Sequence, residues 1–315
     1  MKSIKTIFFG THNFATTILQ GLIDSPIFDI QLVITQPDKP VGRKKELTSP
    51  PVKILAEKHG IKVEQPDSLR DYNLQPTAYP RRGMPCGYDL GVTAQYGLLI
   101  PENILNAQTH GTLNTHTSLL PKYRGASPIQ SALINGETET GVTIMKMDKG
   151  LDTGPVILQK SLKVEPNDTY LDLDKKLAKI GLLALLEAVP AYVSGQLQPI
   201  PQDNSDATTC KQFTREDGKI EWNKTDKEIY NLYRGLTPWP GAWTTWQDKR
   251  LKLLKIKPSD LKLKPGLVKI EEDRLYIGTN SKSLEILELQ LEGKQKMNAE
   301  QFINGYKNIN NSRLN

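Results

Sequence analysis

The largely apolar run Ile4–Phe9 stops at Gly10 and is followed at once by Phe14, Ile18, Leu19, Leu22 and Ile23 at helical spacing. A strand that does not alternate apolar with polar is buried on both faces, as happens when helices cover both sides of a parallel sheet. The same grammar continues. Ile30–Thr35 reads as a strand, Pro51–His59 as a short helix, and Ile61–Glu64, Asp89–Ala94 and Gly111–Asn114 as further strands. Thr140–Met147 and Val156–Val164 read as two more strands, and Tyr170–Tyr192 as a helix rich in Leu, Ala and Lys. This alternation predicts an α/β fold with a doubly wound, mostly parallel, Rossmann-like sheet. Ligands of such sheets sit at the carboxyl ends of the strands.

The grammar changes after Ser194–Thr209, a polar stretch with two prolines that reads as a linker. Beyond it, Arg250–Ile256, Leu267–Ile270, Arg274–Ile277 and Leu284–Leu289 are short alternating runs separated by turn residues. They predict a small C-terminal β-barrel of OB-like type. The expected organisation is therefore residues 1–193, a linker at 194–209, and a second domain at 210–315. A length of 315 residues fits two domains.

Composition narrows the setting. Two cysteines far apart in sequence give neither a disulfide framework nor a metal pair, and a reducing, cytoplasmic location is expected. No span approaches the ~20 apolar residues of a membrane helix, and the N-terminal run is too short for a signal-peptide core. The net charge of +6 is uneven. Lys249–Lys269 carries eight basic residues and one acid, Asp260, and Gln36–Lys53 carries five basic residues and two acids. Two basic patches suit a polyanionic partner, although a solvated lysine-rich surface would look the same.

The chemistry concentrates in Asn114-Thr-His116-Thr-Ser118-Leu119-Leu120-Pro121, just after a predicted strand. Two residues apart on an extended segment, Asn114 and His116 face the same way. A carboxamide N–H can stabilise the oxyanion of a tetrahedral intermediate, and an imidazole can take the proton of an attacking amine. Acyl transfer to an amine needs that pairing. A lone histidine is more often structural, and a lone Asn more often a turn or cap residue. Asp148-Lys-Gly150-Leu-Asp152-Thr-Gly154 follows another strand, where a carboxylate could orient the imidazole or simply make a turn. Its spacing does not fit a calcium loop, and no ligand cluster for a metal stands in the sequence, so none is expected.

These segments together, with Arg124-Gly125, resemble the 10-formyltetrahydrofolate-dependent formyltransferase family. The resemblance implies a catalytic trio of Asn114, His116 and Asp152, and folate contacts from Ser118, Leu119, Leu120 and Pro121. It also implies that Gln95, Tyr96, Gly97, Leu98 and Asp148 line the pterin pocket. Phe9-Gly10-Thr11-x-x-Phe14-Ala15, the basic loop from Gln36 to Lys45, Asp217-Gly218-Lys219-Ile220 with Trp222, and Pro238-Trp239-Pro240-Gly241-Ala242 are similar to the branch that formylates methionine on charged initiator tRNA. That branch implies tRNA contacts from Arg43, Lys44 and Lys45 in the loop, which would enter the acceptor-stem region. Lys249, Arg250, Lys252, Lys255 and Lys257 are further candidates, by their charge. A monomer with folate and tRNA as partners, and no membrane, is expected.

The competing expectations are a formyltransferase for a small amine, an RNA-binding protein with a dead α/β domain, and a hydrolase releasing formate from the same folate. The sequence also departs from the family pattern. Lys44 and Glu46 alter the basic loop, and Thr117 stands where Gly is common. Gln75–Tyr88 holds three prolines and two glycines where the family has a helix, so it cannot be helical.

Overall fold

The structure, a computed structural model, describes residues 3–42, 45–74 and 87–315. Arg43, Lys44 and residues 75–86 of the proline-rich stretch lie outside the described residues. In chain order the first part runs β1 (Ile4–Gly10), α1 (Asn13–Ile23), β2 (Phe28–Ile34), β3 (Lys39–Val41), β4 (Glu46–Thr48), α2 (Pro51–Lys58), β5 (Val63–Glu64), β6 (Leu90–Ala94), α3 (Glu102–Leu105) and β7 (Thr112–His116). It continues with β8 (Arg124–Gly125), α4 (Pro128–Ile134), β9 (Glu139–Lys146), β10 (Val156–Lys163) and α5 (Tyr170–Val193). Then come β11 (Thr209–Cys210), α6 (Asp226–Leu236), β12 (Ala242–Trp246), β13 (Lys249–Ser259), β14 (Val268–Glu271), β15 (Arg274–Gly278), β16 (Ser283–Leu291), β17 (Met297–Asn298) and α7 (Ala299–Gly305).

The chain forms two compact units. The first comprises residues 1–125, 139–163 and 174–209. Its sheet has the order β10-β9-β7-β6-β1-β2-β5. Strands β5, β2, β1, β6 and β7 are parallel, while β9 runs antiparallel to β7 and β10 antiparallel to β9. This is the expected doubly wound, mostly parallel sheet. Ile7, Phe8 and Phe9 of β1 are fully buried, which is why that strand shows no polar alternation. Phe14, Ala15, Ile18, Leu19 and Leu22 of α1 are buried as the apolar spacing requires. The connection from β5 to β6 carries the chain back past β1, so the strand order reverses between β1 and β6. A crevice opens at such a reversal outside the carboxyl ends of the strands.

The stretch read as a linker is fastened to this unit. Ile200 pairs with Val156, and Gln202 Nε2 donates to the carbonyls of Asp152 and Gly154 at 2.9 and 2.7 Å. The basic loop contains a hairpin, in which Lys39 pairs with Thr48 and Val41 with Glu46. Its base is fixed by Asp38, whose carboxylate accepts from Gln65, Lys53 and Ser49 and is held below the usual carboxylate range mainly by those bonds.

The second unit comprises residues 126–138, 164–173 and 210–315. Its antiparallel sheet has the order β12-β13-β16-β15-β14, with β17 on β16. Leu251, Leu253, Ile256, Leu284, Ile286 and Phe302 lie in one buried cluster with Trp222. The expected small β-rich C-terminal domain is present. Residues 126–138 and 164–173, from the middle of the chain, belong to it through α6. A Cβ on Gly235 would stand 2.8 Å from Ile134 Cγ1 and 3.1 Å from the Gln130 carbonyl, so only glycine lets α6 approach α4 so closely. The buried Arg234 donates to Asn231 Oδ1 at 2.9 Å and to the Glu165 and Asp168 carbonyls at 3.3 and 3.4 Å. Among the described residues no helix is long and apolar enough to cross a membrane.

Candidate active site

Strand β7 carries the first two side chains. Its neighbours are β6 on one side and β9 on the other, with Asn114 opposite Met145 and His116 opposite Thr143 in the register with β9. Thr115, on the other face, packs toward α5, where a Cβ on Gly181 would stand 2.8 Å from its Cγ2. Asn114 and His116 therefore point away from that helix together.

The connection 147–155 between β9 and β10 delivers Asp152 to β7. Asp152 Oδ1 lies 3.4 Å from Asn114 Nδ2 and 3.6 Å from His116 Nδ1. Its Oδ2 accepts the Gly125 N–H at 2.9 Å. Asp152 has φ +53°, in the left-handed region that aspartate enters more readily than most residues with a Cβ. Here the carbonyl of the same residue is fixed by Gln202. A Cβ on Gly154 would stand 1.8 Å from the Lys146 carbonyl, so glycine is obligatory where the loop returns to the sheet. Asp148, the other acid of the loop, is exposed and accepts from Gly150 N and Thr153 Oγ1 at 2.9 and 2.8 Å.

His116 Nε2 lies 3.0 Å from the Tyr123 carbonyl. A carbonyl only accepts, so Nε2 carries a hydrogen. In the neutral ring Nδ1 then has its lone pair free, on the side where Asp152 stands. A proton taken up at Nδ1 would face a carboxylate. Asn114 has two N–H groups. One faces Asp152, and the second remains for an oxygen of a bound ligand.

The segment Ser118–Pro121 is divided. Ser118 is fully buried and its hydroxyl donates to the Lys122 carbonyl at 2.6 Å, so that group is taken within the protein. Leu119 and Pro121 are partly exposed. Thr143 and Gln159 shape the turn. Thr143 Oγ1 donates to the Ser118 carbonyl at 2.7 Å and accepts from Leu120 N at 3.0 Å, and Gln159 Nε2 donates to the Leu120 carbonyl at 2.7 Å.

The other half of the predicted pocket leaves β6. Gln95 (φ +44°) and Gly97 (φ +80°) turn the chain sharply. The Tyr96 carbonyl accepts from Thr11 Oγ1 and Gln36 Nε2, both at 2.8 Å, which ties together the exits of β1, β2 and β6. Gln95 Nε2 donates to Asp174 Oδ1 at 3.0 Å. Burial raises the Asp174 carboxyl, and that hydrogen bond opposes the rise. The Tyr96 hydroxyl is buried with no hydrogen-bond partner among the described residues. Burial pushes it up to about 12, so it stays a neutral donor. A cavity of about 360 Å³ lined by Asp67–Asp71, Leu98 and Leu99 adjoins this exit, but none of Asn114, His116 and Asp152 lines it.

The basic candidates differ in availability. Lys45, Lys249 and Lys255 are exposed, and Lys252 is partly so. Arg250 lies over the Trp243 ring, 4.2 Å from its centroid, with Nη2 3.5 Å from Glu216. Lys257 pairs with Glu285 at 3.1 Å. On β13 Leu251, Leu253 and Ile256 face the core, and a bulge between Leu253 and Ile256 shifts the alternation.

The sequence reading gave no role to Gln202, Arg124, Thr143 or Gln159. Arg124 is buried, and its Nε and Nη2 donate to Gln202 Oε1 at 3.0 and 2.7 Å. In sequence, Arg124-Gly125 belongs to the resemblance without a function of its own, and Gln202 sits in a polar stretch that carries no signal.

A sequence profile described as formyl transferase matches residues 2–189, and one described as formyl transferase, C-terminal domain, matches residues 212–307. The methionyl-tRNA formyltransferase of Caldicellulosiruptor saccharolyticus is 41% identical over 306 residues, 96% of each chain. That of Geobacter metallireducens is 42% identical over 308 residues, covering 97% of this chain and 96% of its own. A crystal structure of an N-formyltransferase from Helicobacter canadensis, in complex with folinic acid and dTDP-3-aminofucose, superposes with a TM-score of 0.65 at 19% identity. It covers 90% of this chain and 98% of its own, and the likeness is one of fold.

Proposed function

We propose how this chain, which belongs to the methionyl-tRNA formyltransferase family, carries out its reaction: it moves the formyl group of 10-formyltetrahydrofolate onto the amino group of methionine on charged initiator tRNA. The observation that carries the reading is the convergence of Asn114, His116 and Asp152 within 3.4–3.6 Å contacts at the end of β7. The full-length similarity to methionyl-tRNA formyltransferases supports the choice of acceptor.

The methionyl amine attacks the formyl carbon on N10 of the folate. The formyl oxygen becomes negative and is received by the second Asn114 N–H. His116 Nδ1 takes the proton released by the amine nitrogen, while Tyr123 holds the ring through Nε2. Asp152, facing Nδ1, stabilises the imidazolium so formed. The C–N10 bond then breaks, and His116 returns a proton to N10. No step calls for a metal.

The folate would lie along the crevice between the β6 exit and the Leu119–Pro121 turn. Gln95–Leu98 supply a sharply turned backbone there, and Tyr96 supplies a buried hydroxyl without a partner among the described residues, both suited to a pterin ring with donors and acceptors on its edge. Asp148 is exposed at the loop beside this pocket. Ser118 supports the turn from inside rather than touching the ligand. Phosphates of the tRNA would meet Lys45, with Arg43 and Lys44, on the hairpin loop, and Lys249, Lys252 and Lys255 on β13. Arg250, stacked on Trp243, contributes field more than contact. The reading includes a cytoplasmic monomer as its setting.

The test is a formyl-transfer assay with labelled 10-formyltetrahydrofolate, offered charged initiator tRNA, uncharged tRNA and free methionine. Label on the charged tRNA alone is the expected result. Label on free methionine at a comparable rate would remove the tRNA from the reading.

A further inference from the structure

We propose that Gln202 is a positioning residue of the active site: it clamps the Asp152 turn in its left-handed conformation and braces that turn against Arg124. The inference rests on the role given to Asp152 above.

Gln202 uses both ends of its carboxamide. Its Nε2 donates to the Asp152 carbonyl at 2.9 Å and to the Gly154 carbonyl at 2.7 Å. Its Oε1 accepts from Arg124 Nε at 3.0 Å and Arg124 Nη2 at 2.7 Å. Arg124 Nη2 also donates to Asn204 Oδ1 at 2.9 Å. The residue after Arg124, Gly125, donates its N–H to Asp152 Oδ2 at 2.9 Å. Asp152 is thus held by main chain and side chain together. Gln202 grips the carbonyl, Gly125 grips the carboxylate, and Arg124 links the two grips.

Such a clamp has work to do here. Asp152 has φ +53°, a left-handed conformation that aspartate tolerates but that competes with the extended and right-handed regions, so its neighbours select it. Rotation of that residue would swing Oδ1 away from Asn114 and His116. The contacts at stake are 3.4 and 3.6 Å, already long, so a small further displacement would break them. Only an amide at position 202 can donate to two carbonyls and accept from a guanidinium at once. Glutamate would keep the Arg124 pair but set an oxygen against two carbonyl oxygens.

The test compares Gln202→Ala and Gln202→Glu with the unaltered enzyme, each also combined with Asp152→Asn. Both single variants should lower kcat, by roughly tenfold to hundredfold, the loss expected when a catalytic group is displaced by about 1 Å. The KM values for folate and tRNA should move less than about twofold. In the Asp152→Asn background neither substitution should lower kcat further, because a clamp acting through Asp152 has nothing left to place. An unchanged kcat for Gln202→Ala, with Asp152→Asn strongly impaired, overturns the clamp and leaves the site standing. An equal extra loss in the Asp152→Asn background also overturns it, since Gln202 would then act elsewhere. Full activity of Asp152→Asn overturns the site assignment and the clamp with it. Thermal midpoints of all the variants separate lost positioning from lost folding.

Discussion

The Asn114–His116–Asp152 cluster of the first unit and the basic strand of the second both present polar side chains, but under opposite conditions. At the cluster every group is fixed by another. Asp152 Oδ2 is bound to Gly125, the His116 ring to Tyr123, Ser118 to Lys122, and Thr143, fully buried, to Ser118 and Leu120. A buried polar group left unmet costs about 1–3 kcal/mol, so burial itself enforces this geometry. On β13, Lys249 and Lys255 extend into water from a strand whose Leu251, Leu253 and Ile256 make the core. Each such charge contributes little by itself and nothing about it needs to be placed to an ångström. Position matters at the first site and number at the second. Chemistry should therefore be sensitive to single atoms in the first unit, and affinity should degrade gradually in the second.

The sharpest way to break that contrast is Asn114→Ala. If Asn114 is the oxyanion donor proposed above, its loss should lower kcat by about 10²–10³-fold, with the KM for tRNA nearly unchanged. Steady-state kinetics on charged tRNA checks it, and a fall in tRNA affinity as large as the fall in rate would show that the two sites are not separate. Gly235→Ala comes next. The added methyl would press on Ile134 and the Gln130 carbonyl, so stability should fall by about 1–3 kcal/mol by denaturant unfolding. A silent substitution would mean that α6 does not depend on close approach to α4. The double variant Lys252→Gln, Lys255→Gln should raise the tRNA KM by roughly three- to tenfold and make its salt dependence shallower by about 2 in log–log slope, with kcat intact. A drop in kcat instead would mean that these lysines are placed rather than merely counted.

The smallest expected effect is at Asp217. Lys211, then Thr214, hold its carboxyl at about 2, below its ordinary value of 3.8. A depressed value means that its contribution is complete above pH 3.8 and fades as the pH falls toward 2. Asp217→Asn should therefore lower the thermal midpoint slightly at neutral pH and flatten its decline over that acid range. Because the group is near the surface, the effect should stay under about 1 kcal/mol. A pH series of melting curves on both proteins decides it.

Legibility divides along the same line as the physics. The buried strands of the first unit could be read because burial on both faces leaves a largely apolar run, as in Ile7–Phe9 and, interrupted only by the buried Thr143, Val142–Met145. Asn114 and His116 could be read because two-residue spacing on a strand fixes a shared face. The helices α6 and α7 were not read, although each begins with a capping box, Thr225 with Glu228 and Asn298 with Gln301, a local signal that was available. The hairpin β3–β4 hid inside a loop whose charges drew attention from its pairing. Arg250, a tRNA candidate by its charge, lies over Trp243, a partner set by cross-strand geometry rather than by neighbours in sequence. Gln202 was illegible for a stronger reason. Its partners at 124, 152 and 154 are remote in sequence, and nothing in a polar stretch marks which glutamine turns inward.

The reach of Asp152 also sets an order in time. Its carboxylate meets residues at 114, 116 and 125, and its carbonyl meets residue 202. During synthesis, the strand bearing Asn114 and His116 leaves the ribosome well before the segment that closes the ring around Asp152. A nascent chain that has released residues 114, 116, 125 and 152 would still lack residue 202, which fixes the Asp152 carbonyl. On the proposed mechanism, competence for transfer therefore arrives only after residue 202 has emerged.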